Sequence, residues 1–462
     1  MDSHLPSDPT LPHLAQALDG GAMGRLFAGL LDGPTLLACE VDRVKYRPQR
    51  NCSVTYRLRL LGRSGQGFEQ LVATRFCNGG DALRRYRQAL ARGALRSAAG
   101  PSLSHAPQLD MVACWLPNDA KLTAPALLAD RDAMRRSVLP DVVAALTAGR
   151  GRLVNHQTTL MQIVPELRLC ARVDLHLQAQ PNAPVSTATL YAKTDLERSG
   201  ATTQAVMRAL YDSPARLQGR LCTAQPLLWQ ADTGLHWQVA VAGRALQDIN
   251  AEVAPHVASS VGAQLAALHG SPVSGLEALS VATLAQGVQG AAALLARVEP
   301  AWQPQLQAVV AWLQAGVPAL ADQPPVTLHG DLHLRNILVD GPRLAFIDFD
   351  SVQSGPAVIE LGGWIADVLY RSVLQGTDSR HAGPSWRAFL AAYAQAAGRP
   401  AVAAPLLAWS TVHALLCKRA YRCVANLKPG RFAAVPALLA MAEAIAQRGN
   451  LDAVLAPRSE TA

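Results

Sequence analysis

The chain has 462 residues, half of them hydrophobic and 16% charged, a balance that excludes a disordered protein and leaves room for two or three structural units. Its formal charge is +8, but the cations are scattered in short clusters at 47–50, 84–87 and 418–422 without interleaved aromatic residues. That pattern argues against nucleic-acid binding, whereas a pocket for a polyanion would use part of the charge.

The eight cysteines form no CxxC pair and no regular spacing, which argues against a zinc site and a disulfide framework. Asp2, Pro6, Asp8 and Pro9 precede the first apolar run, so the start does not read as a signal peptide. Two uncharged stretches, 279–296 and 400–417, contain Gln286 and Gln289 in the first and Pro405, Ser410 and His413 in the second. Both read as buried amphipathic helices rather than membrane spans, and a reduced cytoplasmic protein is expected.

Residues 1–38 predict a helical segment broken by Gly and Pro. From Val41 the run VDRVKYRPQRNCSVTYRLRLL alternates like strands, turns at GRSGQG and returns through LVATRF. The helical pattern ALRRYRQALARGAL follows, then a Pro-containing connection at 101–122, then a helical segment near 124–149. A similar cycle starts at Thr159: MQIVPELRLCARVDLHLQ predicts two strands, TATLYAKTD a third, and TTQAVMRALYD a helix. Pro48 and Pro165 each precede a strand ending in Leu-x-Leu, and both cycles then run through Leu-x-Ala, at Leu71–Ala73 and Leu190–Ala192. Two readings stay open, a weak internal repeat of one hairpin–strand–helix unit or two unrelated hairpins of similar composition.

Two further strands are predicted within 227–249, and beyond Ala251 the chain is helical apart from 326–350. Helical patterns cover 257–269 and roughly 282–315, 356–374, 385–397, 402–425 and 433–447. Strands first and helices later predict an α+β protein with an N-terminal region at 1–150, a small antiparallel-sheet lobe at 151–250 and a large helical lobe at 251–462.

The exception, VTLHGDLHLRNILVDGPRLAFIDFD, carries the chemistry. Ile337–Val339 and Leu344–Ile347 flank Asp340-Gly341-Pro342, a strong turn signal, so a hairpin is expected. It would bring Asn336 close to Asp348, with Asp331 five residues before Asn336 across the loop. An Asp beside an acceptor hydroxyl can orient it and take its proton, and an Asn amide oxygen with an Asp carboxylate suits magnesium. D-x-x-x-x-N followed by D-F after a hairpin is the kinase spacing, here Asp331, Asn336 and Asp348-Phe349.

HGDLHLRNILV followed by FIDFD resembles the aminoglycoside phosphotransferase and choline kinase-like family, with further matches at LAALH (265–269), VAGRAL (241–246) and GPAVIELGGWIADVL (355–369). The resemblance spans about residues 155–447. It implies a two-lobed kinase-like fold, ATP or GTP as donor, magnesium as cofactor and a small hydroxylated acceptor such as a sugar, aminoglycoside or amino alcohol. It further implies Asp331 as catalytic base, Asn336 and Asp348 as metal ligands, and a small-lobe lysine on the nucleotide phosphates. Lys193 in LYAKTD fits that role, although the preceding turn, Val164–Arg168, is not Gly-rich. Thr74 or Arg75 takes its place in the first cycle, so that copy is expected to have lost nucleotide chemistry, and a chain lacking 1–150 to keep nucleotide binding. Glu360 stands where the family usually has Asp. The competing readings are a nucleotide-binding pseudokinase and a hydrolase using His329, Asp331 and His333 as H-x-D-x-H metal ligands.

Overall fold

The computed structural model describes residues 5–180, 182–249, 253–427 and 430–454. The chain divides into two compact units, one of Met1–Gln204, Leu227–Ala240 and Ala425–Lys428, the other of Ala205–Pro226, Val241–Val424 and Pro429–Ala462.

The first unit is built on two antiparallel five-stranded sheets. One contains β1 (Thr35–Arg47), β2 (Asn51–Leu61), β3 (Gly67–Phe76), β4 (Leu103–Ala106) and β5 (Met111–Trp115), in the order β1-β2-β3-β5-β4. The other contains β6 (Arg152–Val164), β7 (Arg168–Gln178), β8 (Ser186–Asp195), β9 (Pro226–Gln230) and β10 (Leu235–Val239), in the order β6-β7-β8-β10-β9. In β2 the alternation is plain: Val54, Tyr56, Leu58 and Leu60 are buried, while Arg57 pairs with Glu69 and Arg59 with Glu40 on the other face. Phe27, on the helix Gly20–Ala28, closes that core edge-on against Tyr56 and Trp115, at centroid distances of 5.1 and 5.6 Å.

The two sheets share more than strand order. Their first three strands are 13, 11 and 10 residues long in both. Each first hairpin turns through three residues beginning with Pro, and the middle one is left-handed, Gln49 at φ 60° and Glu166 at φ 64°. The register skips at Leu37 in the first sheet and at Val154 in the second, and a helix follows the third strand in each, Asp81–Ala91 and Gly200–Tyr211.

Strand β1 begins six residues before Val41, and among the described residues the leading segment is helical only at Leu14–Ala17 and Gly20–Ala28. The connection at 101–122 contains β4 and β5, which are too short, at four and five residues, for an alternating pattern to separate them from a loop.

The helical segment after β5 does not cover its own sheet alone. Leu122, Leu128, Met134, Val138, Leu139, Val142 and Val143 are buried in one core with Ile163, Leu169, Val173, Leu175 and Trp237 of the second sheet. Gln230 Nε2 donates to the Val138 carbonyl at 2.9 Å and Gln230 Oε1 accepts from Trp237 Nε1 at 2.8 Å. The shared core argues against the expectation that a chain lacking 1–150 keeps nucleotide binding.

The second unit is helical, with small β elements. Its strands are β11 (Arg244–Ala245), β12 (Pro325–Leu328), β13 (Ile337–Asp340), β14 (Arg343–Phe346) and β15 (Gln353–Pro356). Strand β13 lies between β11 and β14, and β12 pairs with β15. Helices Pro255–His269 and Gly383–Ala397 approach so closely that a Cβ on Gly262 would lie 2.2 Å from the Phe389 carbonyl oxygen. The helix Val281–Val298 is long and apolar enough to cross a membrane, and it turns one stripe inward, Leu284, Val288, Ala291 and Leu295. Helix Ala404–Ala414 continues through a π-helical stretch, Leu415–Ala420, into Tyr421–Asn426.

Deleting residues 1–150 strips ten buried apolar side chains from the core shared with the second sheet. The forfeited burial is on the order of 10 kcal/mol, comparable with the 5–15 kcal/mol that holds a typical domain together. The truncated chain is expected to aggregate or to lose its cooperative thermal transition by circular dichroism; a sharp transition at the full-length temperature would contradict the shared core.

Candidate active site

The β13–β14 hairpin brings the motif together. Ile337 pairs with Phe346, so the next residues outward, Asn336 and Ile347, also meet, and the Ile347 N–H donates to the Asn336 carbonyl at 3.0 Å. Asp348 follows at φ 71° and ψ 61°, a left-handed conformation that costs a non-glycine residue about 1–3 kcal/mol. Across the loop, Asn336 Nδ2 donates to the Asp331 carbonyl at 3.0 Å. His329 Nε2 donates to the Ile347 carbonyl at 2.9 Å, and its ring packs on Phe349. Asp331, Asn336 and Asp348 therefore share one end of the hairpin.

Gly330 cannot be replaced: its φ is 84°, and a Cβ there would lie 1.8 Å from the Ser351 carbonyl oxygen. The loop is held from below by the helix Val358–Gln375. Glu360 Oε2 accepts from the His329 N–H at 2.9 Å and Oε1 from the Gly330 N–H at 2.7 Å. Two helical turns on, Asp367 Oδ2 accepts from the Leu334 N–H at 3.0 Å. His269 Nε2 also meets Glu360 Oε2, at 2.9 Å, and its Nδ1 meets the Tyr393 hydroxyl at 2.8 Å. Burial alone would raise the Glu360 pKa, but the hydrogen bond and charge from His269 and the bonds from the loop outweigh it and leave the carboxyl below its ordinary range. Glu360, where the resemblance anticipates Asp, is thus a loop anchor.

Three cations on the helix that includes the π-helical stretch complete the site. Arg422 Nη2 lies 3.1 Å from Asp331 Oδ1, Lys418 Nζ donates to the Gly330 carbonyl at 3.2 Å, and Arg419 Nη1 lies 3.1 Å from Asp367 Oδ1. Burial pushes the Asp331 carboxyl upward, yet the charges of Arg422, His333 and Lys418 outweigh it and hold it below the ordinary range. Burial likewise lowers Lys418. These cations belong to the 418–422 cluster, whose composition alone favours a solvated face; the signal was their i, i+1, i+4 spacing on one apolar helix.

His333 Nε2 stands 3.6 Å from Asp331 Oδ2, and Arg335 Nε donates to Gln247 Oε1 at 2.9 Å. His329 is wholly buried and turned onto Ile347, so the H-x-D-x-H triplet does not present one face; among the described residues no group of three or more His, Cys, Asp or Glu side chains is arranged to hold a metal. Lys193 lies in the first unit on β8, paired with Cys170 of β7 and His236 of β10. Burial, with the Lys193 charge beside it, lowers the His236 pKa to about 4.

A sequence model of the phosphotransferase enzyme family matches residues 187–421. No curated protein matches the chain. Among solved structures, a candidate aminoglycoside phosphotransferase of Ralstonia eutropha is 16% identical, covering 67% of this chain and 98% of its own, with a TM-score of 0.48. A thermostable mutant of aminoglycoside phosphotransferase APH(4)-Ia, in ternary complex with ADP and hygromycin B, is 12% identical over 63% and 93%, with a TM-score of 0.42. A choline/ethanolamine kinase family protein of Mesorhizobium loti is 14% identical over 64% and 92%, with a TM-score of 0.39.

Glu360→Gln tests the anchor. Both carboxylate oxygens accept N–H groups, so the amide must turn its NH2 toward a donor whichever way it lies. The expected loss is about 3 kcal/mol at pH 7, read from the urea midpoint. Because the folded-state pKa is depressed, this stabilisation is present above the ordinary carboxylate value of 4.5 and is lost as pH falls through the folded one. The gap between wild type and variant should therefore close below that range; a gap independent of pH would refute an ionised anchor.

Proposed function

This chain belongs to the phosphotransferase enzyme family and is a small-molecule phosphotransferase, and from that premise we propose that it moves the γ-phosphoryl group of ATP or GTP to a hydroxyl of a sugar, aminoglycoside or amino alcohol, with Asp331 as the acceptor's base. The observation that carries this reading is the meeting of Asp331, Asn336 and Asp348 at one end of a hairpin.

Asp331 is an anion at neutral pH, held so by Arg422 and Lys418 against the effect of burial. A carboxylate so stabilised is a weak base, which suits phosphoryl transfer through a loose transition state: the hydroxyl needs orientation first and gives up its proton as the bond to phosphorus forms. The Lys418 tie to the Gly330 carbonyl and the Glu360 bonds to the preceding N–H groups support the positioning of that carboxylate.

Asn336 and Asp348 fit a magnesium ion. The Asn336 Nδ2 is spent on the Asp331 carbonyl, which turns the amide toward metal ligation through its oxygen, and a hard cation takes oxygen donors. Bound there, magnesium would neutralise charge on the nucleotide phosphates. Lys193 is assigned to those phosphates on its strand position, as a compact point charge.

Asp331→Asn is expected to lower kcat by about 10²–10⁴ with little change in nucleotide affinity. An NTP-consumption screen over hydroxylated metabolites and antibiotics, with this variant as control, reads both the activity and the acceptor; wild-type turnover retained in the variant would remove Asp331 from the chemistry. Arg422→Ala supplies the pH test. Removing the strongest attractive charge raises the Asp331 pKa, so the acid limb of kcat/KM should move to higher pH, and an unmoved limb would contradict the assignment.

A further inference from the structure

The first sheet carries a cavity of about 130 Å³ that the proposed reaction does not use. Its wall includes Arg75 of β3, Arg85 and Arg92 on and just after the following helix, and Lys121, opposed by Asp119 and Glu166. The register shows what Arg75 corresponds to. Arg75 pairs with the third residue of β2, Ser53, and the second of β5, Val112. Lys193 pairs with the third residue of β7, Cys170, and the second of β10, His236. Each cation thus occupies the same place in its own sheet.

Arg75 is committed to a substitute anion. Its Nη2 lies 2.8 Å from Glu166 Oε1, Lys121 Nζ lies 3.5 Å from Glu166 Oε2, and the Arg75 Nε is buried with no hydrogen-bond partner among the described residues. Asp119 spends its side chain on backbone N–H groups, of Lys121 and Leu122 through Oδ1 and of Glu166 through Oδ2. The Arg85 Nε donates to Asp81 at 2.7 Å, and Arg92 donates to the Ala120 carbonyl. The wall therefore carries four cations against the carboxylates of Glu166 and Asp119, with Arg85 held by Asp81, and Arg75 and Lys121, both turned onto Glu166, offer donors suited to a tetrahedral oxyanion.

We propose that this cavity binds a small phosphate-bearing molecule, gripped by Arg75 and Lys121, and that Glu166 fills the same place as a built-in competitor. The site lies within the first unit and stands apart from the phosphotransfer reading. Its ligand is either free phosphate or a phosphate monoester.

The test is isothermal titration of the full chain, without nucleotide, at constant ionic strength, with inorganic phosphate in one arm and glucose 6-phosphate in the other. Arg75→Gln and Lys121→Gln are each expected to weaken binding about tenfold, the cost of one charge-assisted hydrogen bond. Glu166→Gln is expected to strengthen it several-fold, which a merely structural ion pair would not do. Thermal unfolding of each variant confirms that the fold is kept. Tighter binding of the ester identifies a phosphomonoester site, and equal binding a site for the phosphate alone. The proposal is overturned if neither probe binds up to about 10 mM, if the folded Arg75→Gln/Lys121→Gln double variant keeps the wild-type isotherm, or if Glu166→Gln weakens binding.

Discussion

One buried carboxylate sets the geometry of the 329–336 loop. Glu360 takes the N–H groups of His329 and Gly330 and the ring of His269, so the loop enters the site at a fixed height above its helix. Gly330 makes the arrangement possible, since only a residue without Cβ can pass the Ser351 carbonyl at that φ. Asp331 follows directly, and its carbonyl is then engaged by Asn336. A shift at Glu360 would be passed to each of these groups in turn, because no slack separates one hydrogen bond from the next.

The second determinant is charge balance. Asp331 and Asp367 face Arg422, Lys418 and Arg419, all from a stretch that passes through a π-helical segment. Widening one turn changes which side chains share a face, and such segments often mark functional sites. Here it accompanies the turn of Lys418 onto the Gly330 carbonyl and of Arg419 onto Asp367. Asp331 remains ionised despite burial because the cations around it are supplied by a neighbouring helix rather than by solvent.

The parts legible in the sequence are those with local causes. Asp-Gly between two apolar runs specifies the β13–β14 hairpin, and hairpin geometry alone then puts Asn336 next to Asp348. Amphipathic periodicity located the long helices to within a few residues, Val358–Gln375 and Val435–Arg448 among them. What lay hidden was tertiary. Glu360 is an ordinary acidic residue in a helix until the loop is folded over it, and Lys418 is one member of a basic cluster until Gly330 is placed beneath it. The core that joins Val138 and Leu139 to Leu175 and Trp237 has no local signature, because its members are 30 to 100 positions apart and each is simply apolar.

The turn between β6 and β7 shows how a stiff solution replaces a flexible one. Val164–Arg168 contains no glycine, yet Glu166 adopts φ 64°, which costs about 1–3 kcal/mol for such a residue. The offset comes from the first half of the chain: Asp119 accepts the Glu166 N–H at 3.0 Å, and Arg75 and Lys121 hold its carboxylate. A charge-assisted bond and a half-buried ion pair are together large enough to balance that strain. The corresponding residue of the first hairpin, Gln49, solves the same problem differently: its N–H donates to the Asp8 carboxylate at 2.8 Å. In both sheets, then, an acidic side chain from elsewhere in the unit fixes a left-handed turn. The first sheet is bound into the second not only through a common apolar core but also through the backbone conformation of its turn.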